Sequence, residues 1–119
     1  MKILILEDNQ ERIGKFKELF KNQELFIFDS FNRELCDTVR KIDFDVMLLD
    51  HDLGNRIWVD SREENTGYQF IVWLIGNKLQ KKSLIYIHSM NPIGANKMLN
   101  YLLDNDYDGI WIPYYLLKC

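Results

Sequence analysis

Cysteine is scarce in this sequence, and so are clustered cations and long apolar runs; each shortage removes a class of protein. Only Cys36 and Cys119 occur among 119 residues, far apart and without a CxxC pair, which argues against a disulfide framework or a zinc ribbon and fits a reducing compartment. The formal net charge is -3 and no block of Lys and Arg interrupts it, so broad binding of a long nucleic acid is not expected, while a small phosphorylated ligand is allowed. No apolar stretch approaches the ~20 residues that cross a bilayer. The amino terminus runs straight into a strand-like segment without a charged leader and cleavage site, so the expectation is a cytoplasmic protein, neither membrane-inserted nor secreted. Internal repeats and low-complexity tracts are also missing. What is present is a 47% hydrophobic chain whose length fits one domain, residues 1–119, with a sizeable core.

Along the chain, apolar strand-like runs alternate with segments of helical period. Lys2 to Leu6 reads as a first strand, and Ile13, Phe16, Leu19 and Phe20 share one face of a helix from Gln10 to Lys21. Glu24 to Phe28 is a second strand; Phe31, Leu35, Val39 and Ile42 mark a second helix; Asp45 to Leu49 is a third strand. The segment from Leu53 to Asn65 is polar, irregular and longer than most strand-to-helix connections, as functional lids often are, and carries Trp58. Thr66 with Gln69 forms a capping box ahead of a largely buried third helix through Phe70 to Ile75. Leu84 to His88 is a fourth strand. Asn91 and Pro92 open a fourth helix striped by Ala95, Met98, Leu99, Leu102 and Leu103. Gly109 to Ile112 is a fifth strand, and Pro113 to Cys119 is too short for a full closing helix.

This alternation predicts a three-layer α/β fold: a five-stranded parallel sheet in the order 2-1-3-4-5, helices on both faces, the final helix missing or very short. Ligands bind such sheets at the carboxyl edge. Three strand ends there carry reactive groups: Glu7-Asp8, Asp50-His51-Asp52 and His88-Ser89. The switch point lies between the first and third strands and sets Glu7, Asp8 and Asp50 side by side. Crowded carboxylates repel unless protons or a cation intervene, so the pattern suggests a metal site with two histidines nearby. Plainer roles exist for each residue. Asp8 with Glu11 can cap the first helix, Asp52 can turn the chain before Gly54, Asn65-Thr66-Gly67 is first a helix start, and a lone strand-end histidine is usually packing.

At these positions the chain resembles the response-regulator receiver domains over nearly its whole length. Receivers carry an acidic pair after strand one, a phosphoacceptor aspartate after strand three, Ser or Thr after strand four, and Lys before Pro after strand five. Glu7-Asp8, Asp50 and Ser89 match the first three; Ile112 stands where the lysine belongs, which disfavours ordinary phosphorelay. The chain is more similar to the cyclic-phosphate-processing receiver domains of phages and bacteria, through Leu49-Asp50-His51-Asp52-Leu53-Gly54, Asn65-Thr66-Gly67-Tyr68 and Ile87-His88-Ser89-Met90-Asn91-Pro92-Ile93-Gly94-Ala95-Asn96. That resemblance implies cleavage or capture of a nucleotide bearing a cyclic phosphate, and a part in the contest between phage and host over cyclic nucleotide signals, in host cytoplasm if the protein is phage-encoded.

The residue types suit that chemistry. Mg²⁺ or Mn²⁺ held by Glu7, Asp8 and Asp50 would neutralise a phosphodiester and activate a water. His51 and His88, with Asp50 and Asp52, are the candidate catalytic groups, because imidazole exchanges a proton near neutral pH. Ser89, Asn91 and Gly94 at the start of the fourth helix suit an anionic phosphate, with Asn65, Thr66 and Tyr68 as further ligand contacts and Arg56 or Arg62 within possible reach. Three readings follow: a metal-dependent phosphodiesterase of cyclic nucleotides, which is favoured; a binding protein that sequesters them, with Trp58 and Tyr68 as stacking surfaces; and a divergent receiver phosphorylated on Asp50. Neither the nucleotide's identity nor the oligomeric state can be read from these residues.

Overall fold

Strands buried on both faces need apolar side chains on both, and the runs identified above supply them. In the computed structural model, which describes residues 1–54 and 56–116, they form β1 (Lys2–Leu6), β2 (Glu24–Phe28), β3 (Val46–Leu49), β4 (Leu84–Ile87) and β5 (Gly109–Trp111). The sheet order is β2-β1-β3-β4-β5, and every pairing is parallel. β3 starts one residue later than expected, although the Asp45 amide still donates to the Lys2 carbonyl at 2.9 Å and its carboxylate accepts from the Lys2 amide at 2.8 Å. β5 stops at Trp111, although the Ile112 amide still donates to the Ile87 carbonyl.

Four helices connect the strands: α1 (Gln10–Leu19), α2 (Arg33–Lys41), α3 (Gly67–Gly76) and α4 (Pro92–Asp104). All four begin with the same device. The side-chain oxygens of Asn9, Asn32, Thr66 and Asn91 accept from the amides of Arg12, Leu35, Gln69 and Gly94 at 3.0, 2.9, 3.2 and 3.1 Å. Each such cap is worth about 1 kcal/mol. Asn9 rather than Asp8 caps α1. The expected capping box at Thr66 closes on one side only, because the Gln69 side chain donates its Nε2 to the Ser61 carbonyl at 2.8 Å instead and ties the long loop to α3. α1 is two residues shorter than expected, and Phe31 precedes α2, packing edge-on against Phe70 with ring centres 5.8 Å apart.

Two clusters fill the space around the sheet. The larger gathers Leu4, Leu6, Met47, Leu49, Ile85 and Ile87 with the inner faces of α2, α3 and α4. The smaller is Ile3, Ile5 and Leu48 under Phe16 of α1. After β5 the described chain makes one 3-10 turn, Tyr114–Leu116, and Tyr114 meets Phe16 edge-on. Cys36 is a free, half-buried thiol, whereas Cys119 lies outside the described residues. Among the described residues no helix is long and apolar enough to cross a membrane.

Gly67 fixes where α3 begins. A Cβ there would lie 1.9 Å from the Asp50 carbonyl oxygen and 2.8 Å from Met98 Cε, and neither backbone can retreat because the Gly67 amide donates to the His51 carbonyl. Gly67→Ala should therefore destabilise the protein by about 3 kcal/mol or more. Gly14→Ala, where the new methyl meets nothing within 4 Å, should instead stabilise α1 by about 0.5–1 kcal/mol. Urea unfolding of the two variants measures both; equal effects would show that the approach of Gly67 to Asp50 is not tight.

Candidate metal and phosphate site

Alternation along a strand sorts the residues at the carboxyl edge. Ile3, Ile5, Leu48 and Tyr86 belong to the α1 side of the sheet, and carrying their rows past the strand ends places Glu7, Asp50 and His88 on that side. Leu4, Leu6, Met47, Leu49, Ile85 and Ile87 belong to the opposite side, whose rows continue into Asp8, His51 and Ser89. The structure follows this parity. One donor atom from each of Glu7, Asp50 and His88 lies within 4.8 Å of the other two, and all three side chains are buried.

Glu7 is held from beneath by its own chain: Oε2 accepts from the amides of Asp8 and Asn9 at 3.0 and 3.1 Å. Its other oxygen, Oε1, has no donor, and His88 Nδ1 stands 3.7 Å away. Neither ring nitrogen of His88 makes a hydrogen bond, although the ring is fully buried with the Phe16 ring 5.1 Å off. Asp50 Oδ1 accepts from the His51 amide at 2.8 Å. Burial, and then the neighbouring Asp50, push Glu7 up to about 9. Burial likewise pushes Asp50 up to about 6, against the opposing hydrogen bonds from Glu7 and the His51 amide. Burial, then Arg12, push His88 down to about 3. At neutral pH the group therefore carries one proton on the carboxyl pair, one negative charge and a neutral imidazole. Glu7 Oε1 and the two His88 nitrogens, buried without hydrogen bonds beside Asp50, fit a divalent ion.

Arg12 is the cation nearest to the pair. Its Nη1 lies 3.7 Å from Glu7 Oε1 and 3.9 Å from Asp50 Oδ2, and its guanidinium sits 4.8 Å above the Tyr114 ring. The sequence reading missed it. The available signal was an arginine in the first turn of α1, where the helix dipole disfavours positive charge.

Above this group opens a cavity of about 280 Å³. Glu7, Asp8, Asp50 and Asp52 give its acidic wall, Arg12 and Arg56 its cations, and Ile57, Trp58 and Met90 an apolar rim. Trp58 is 64% exposed, at a backbone φ of 55°. Asp52 holds it there, accepting from the amides of Trp58 and Val59 at 2.8 and 3.2 Å and from Asn91 Nδ2 at 3.0 Å. Burial raises the Asp52 carboxyl, but hydrogen bonds from His51, Asn91 and Trp58 outweigh that and keep it below its ordinary value.

The remaining candidates sit elsewhere. His51 is buried under the loop with both nitrogens engaged, Nδ1 to Asp52 at 2.7 Å and Nε2 to Ser61 Oγ at 2.8 Å. Gly94 lies against that ring, where a Cβ would come within 2.5 Å of it, so its lack of a side chain serves packing. Ser89 Oγ accepts from the Asn91 amide at 3.1 Å. Asn65 Oδ1 accepts from the Phe31 amide at 2.8 Å, and Thr66 is taken up by its cap. Tyr68 packs on Tyr101 beside a separate hollow. Arg62 pairs with Asp60 at 3.0 Å, away from the cavity. Of the predicted residues, then, Glu7, Asp8, Asp50, Asp52 and Asn91 line the cavity; His88 backs it as a donor. His51, Ser89, Gly94, Asn65, Thr66 and Tyr68 lie outside its lining.

A parallel 2-1-3-4-5 sheet with acids at its switch point is the receiver architecture, and solved receivers superpose on it. They include a receiver domain from Methylobacillus flagellatus (TM-score 0.63, 18% identity, covering 99% of this chain and 92% of that one) and the chemotaxis protein CheY4 of Vibrio cholerae (0.64, 16%, 94% and 84%). A response regulator from Burkholderia pseudomallei, solved with a phosphorylated aspartic acid and a calcium ion, matches at 0.64 and 15% identity over 92% of this chain, which spans 58% of that protein. The family model of the cyclic-phosphate processing receiver domain matches residues 2–104, and the chain belongs to that family. Among curated proteins no match was found.

The buried carboxyls set a pH dependence in the metal-free protein. Their folded-state values are raised, so the stability they confer is complete below the ordinary carboxylate range and is lost as pH climbs through about 6 for Asp50 and about 9 for Glu7. His88 acts oppositely, since its folded value is depressed: its contribution is present above 6.5 and lost as pH falls toward about 3. Of these three groups only Glu7 titrates above about pH 7, where stability should fall by at most about 1.4 kcal/mol per pH unit. Chemical denaturation in EDTA between neutrality and that limit should show this slope, and Glu7→Gln should flatten it. A slope unchanged by the substitution would assign the titration to another group.

Proposed function

We propose that this protein is a metal-dependent phosphodiesterase that opens a cyclic phosphate on a nucleotide. The observation that carries the reading is a juxtaposition: the buried Glu7–Asp50–His88 donor set backs one cavity that two arginines and an exposed tryptophan also line. A divalent ion held by that set would supply Lewis acidity and a water of lowered pKa. Arg12 and Arg56 would balance the charge on the phosphate, Arg12 most closely as charge builds toward the transition state. Asp8, on the acidic wall of the cavity, would take the proton of the attacking water, since both histidines lie behind the lining. Trp58 would stack on the base, an interaction worth about 1–3 kcal/mol. A cavity of about 280 Å³ suits one nucleotide unit better than two. In this reading the protein removes a cyclic nucleotide signal, as a phage counter-defence protein acting in host cytoplasm would.

One observation favours a second reading. Arg12 brings a cation to within 3.9 Å of Asp50, a partial substitute for the lysine that Ile112 replaces, and the Burkholderia neighbour carries its phosphoryl group on an aspartate. Retained receiver signalling would use that pair. Incubation with cyclic mono- and dinucleotides and Mg²⁺ or Mn²⁺, followed by mass analysis, should show one water added to a nucleotide. Arg12→Ala should lower kcat/KM by about 10²- to 10³-fold, whereas Trp58→Ala should raise KM by about tenfold with kcat nearly unchanged. Nucleotide recovered intact from the denatured complex would make the protein a sponge, and a lasting phosphoryl group on Asp50 after acetyl phosphate treatment would make it a receiver.

A further inference from the structure

We infer that the ion this site is built for is a first-row transition metal ligated by His88 together with Glu7 and Asp50, and not Mg²⁺ or Ca²⁺. The inference deepens the metal reading above and rests on it. Mg²⁺ and Ca²⁺ take oxygen donors, whereas imidazole suits Fe²⁺, Ni²⁺, Cu²⁺ or Zn²⁺. An oxygen-only set of Glu7, Asp8 and Asp50 would leave His88 as it stands without an ion, fully buried with neither nitrogen hydrogen-bonded. A packing role does not explain that, because an apolar ring would fill the space against Phe16 without burying two polar atoms.

The local geometry agrees. Glu7 commits Oε2 to two backbone amides and presents Oε1 toward His88 Nδ1 at 3.7 Å. That separation is about what two donors at ~2.1 Å from one ion subtend at an angle near ~120°. Glu7 and Asp50 also line the cavity, so an ion on them would be reached from it. Residue parity makes the set: His88 shares its sheet face with Glu7 and Asp50, and Asp8 does not.

The protein has only two histidines, so His51 serves as an internal reference for His88. The test is long-range ¹H–¹⁵N NMR of both imidazoles in EDTA-stripped wild-type protein at fixed pH, titrated with Zn²⁺ and separately with Mg²⁺. Zn²⁺ at one equivalent should move the ring nitrogens of one imidazole only, and His88→Asn should delete that signal. Co²⁺ should give visible absorption bands that one equivalent of Zn²⁺ abolishes and millimolar Mg²⁺ does not, and His88→Asn should weaken Co²⁺ binding by about 10²-fold. If that variant fails to fold, the wild-type titration decides alone. Divalent ions that bind without moving either imidazole, or Mg²⁺ competing with Zn²⁺ on equal terms, would overturn the inference and leave an oxygen-ligated site in place. Binding of no divalent ion would remove the metal reading itself.

Discussion

Two carboxyl groups buried against each other at the ends of β1 and β3 govern everything around them. Neither can hold a full charge there without help, and together they cannot both be ionised. The fold answers with three kinds of compensation: a shared proton, backbone amides from Asp8, Asn9 and His51, and the guanidinium of Arg12. Neither the backbone amides nor Arg12 reaches Glu7 Oε1 or the His88 ring by a hydrogen bond. The residual deficit is local and points at one place, which is why an ion is the simplest completion.

The long loop solves a different problem. An exposed indole in left-handed backbone conformation is unfavourable twice over, and among the described residues of 53–64 no helix or strand holds it. Asp52 does so by accepting from two loop amides, from Asn91 at the cap of α4 and from His51, which in turn engages Ser61 further along the loop. His51 thus connects β3, the loop and α4 rather than facing the cavity. The two aspartates flanking it are divided in role by their surroundings: Asp50 is short of donors and Asp52 is saturated with them.

Much of this was legible in the amino-acid order. Apolar runs marked the five strands, the alternation with helices gave the sheet order, and Asn91-Pro92 and Thr66 marked helix starts. The side chain that each edge residue presents was legible in principle as well, since alternation from Leu48 through Asp50, and from Tyr86 through His88, assigns them to one face and His51 to the other. Treating a strand end as a single cluster hid that division. Arg12 was hidden for another reason: a lone cation on an amphipathic helix looks solvated until the adjacent acids are known to be buried. The loop's anchoring was not legible, because Ser61, Gln69 and Asn91 meet Asp52 and its neighbours only through tertiary contacts.

The comparison with receivers then becomes a matter of where positive charge is supplied. A receiver lysine after strand five approaches the acyl phosphate from the β5 side; here Ile112 is apolar and half-buried, and Arg12 approaches from α1, restrained by its contact with Tyr114. Met90 and Asn91, after β4, line the cavity across from it. An imidazole, His88, lies beside the acids, fully buried and without a hydrogen bond. An aspartate that is 4% exposed, flanked by a neutral imidazole and a protonated glutamate, is a poor nucleophile toward a bulky phosphodonor but a good ligand for an ion.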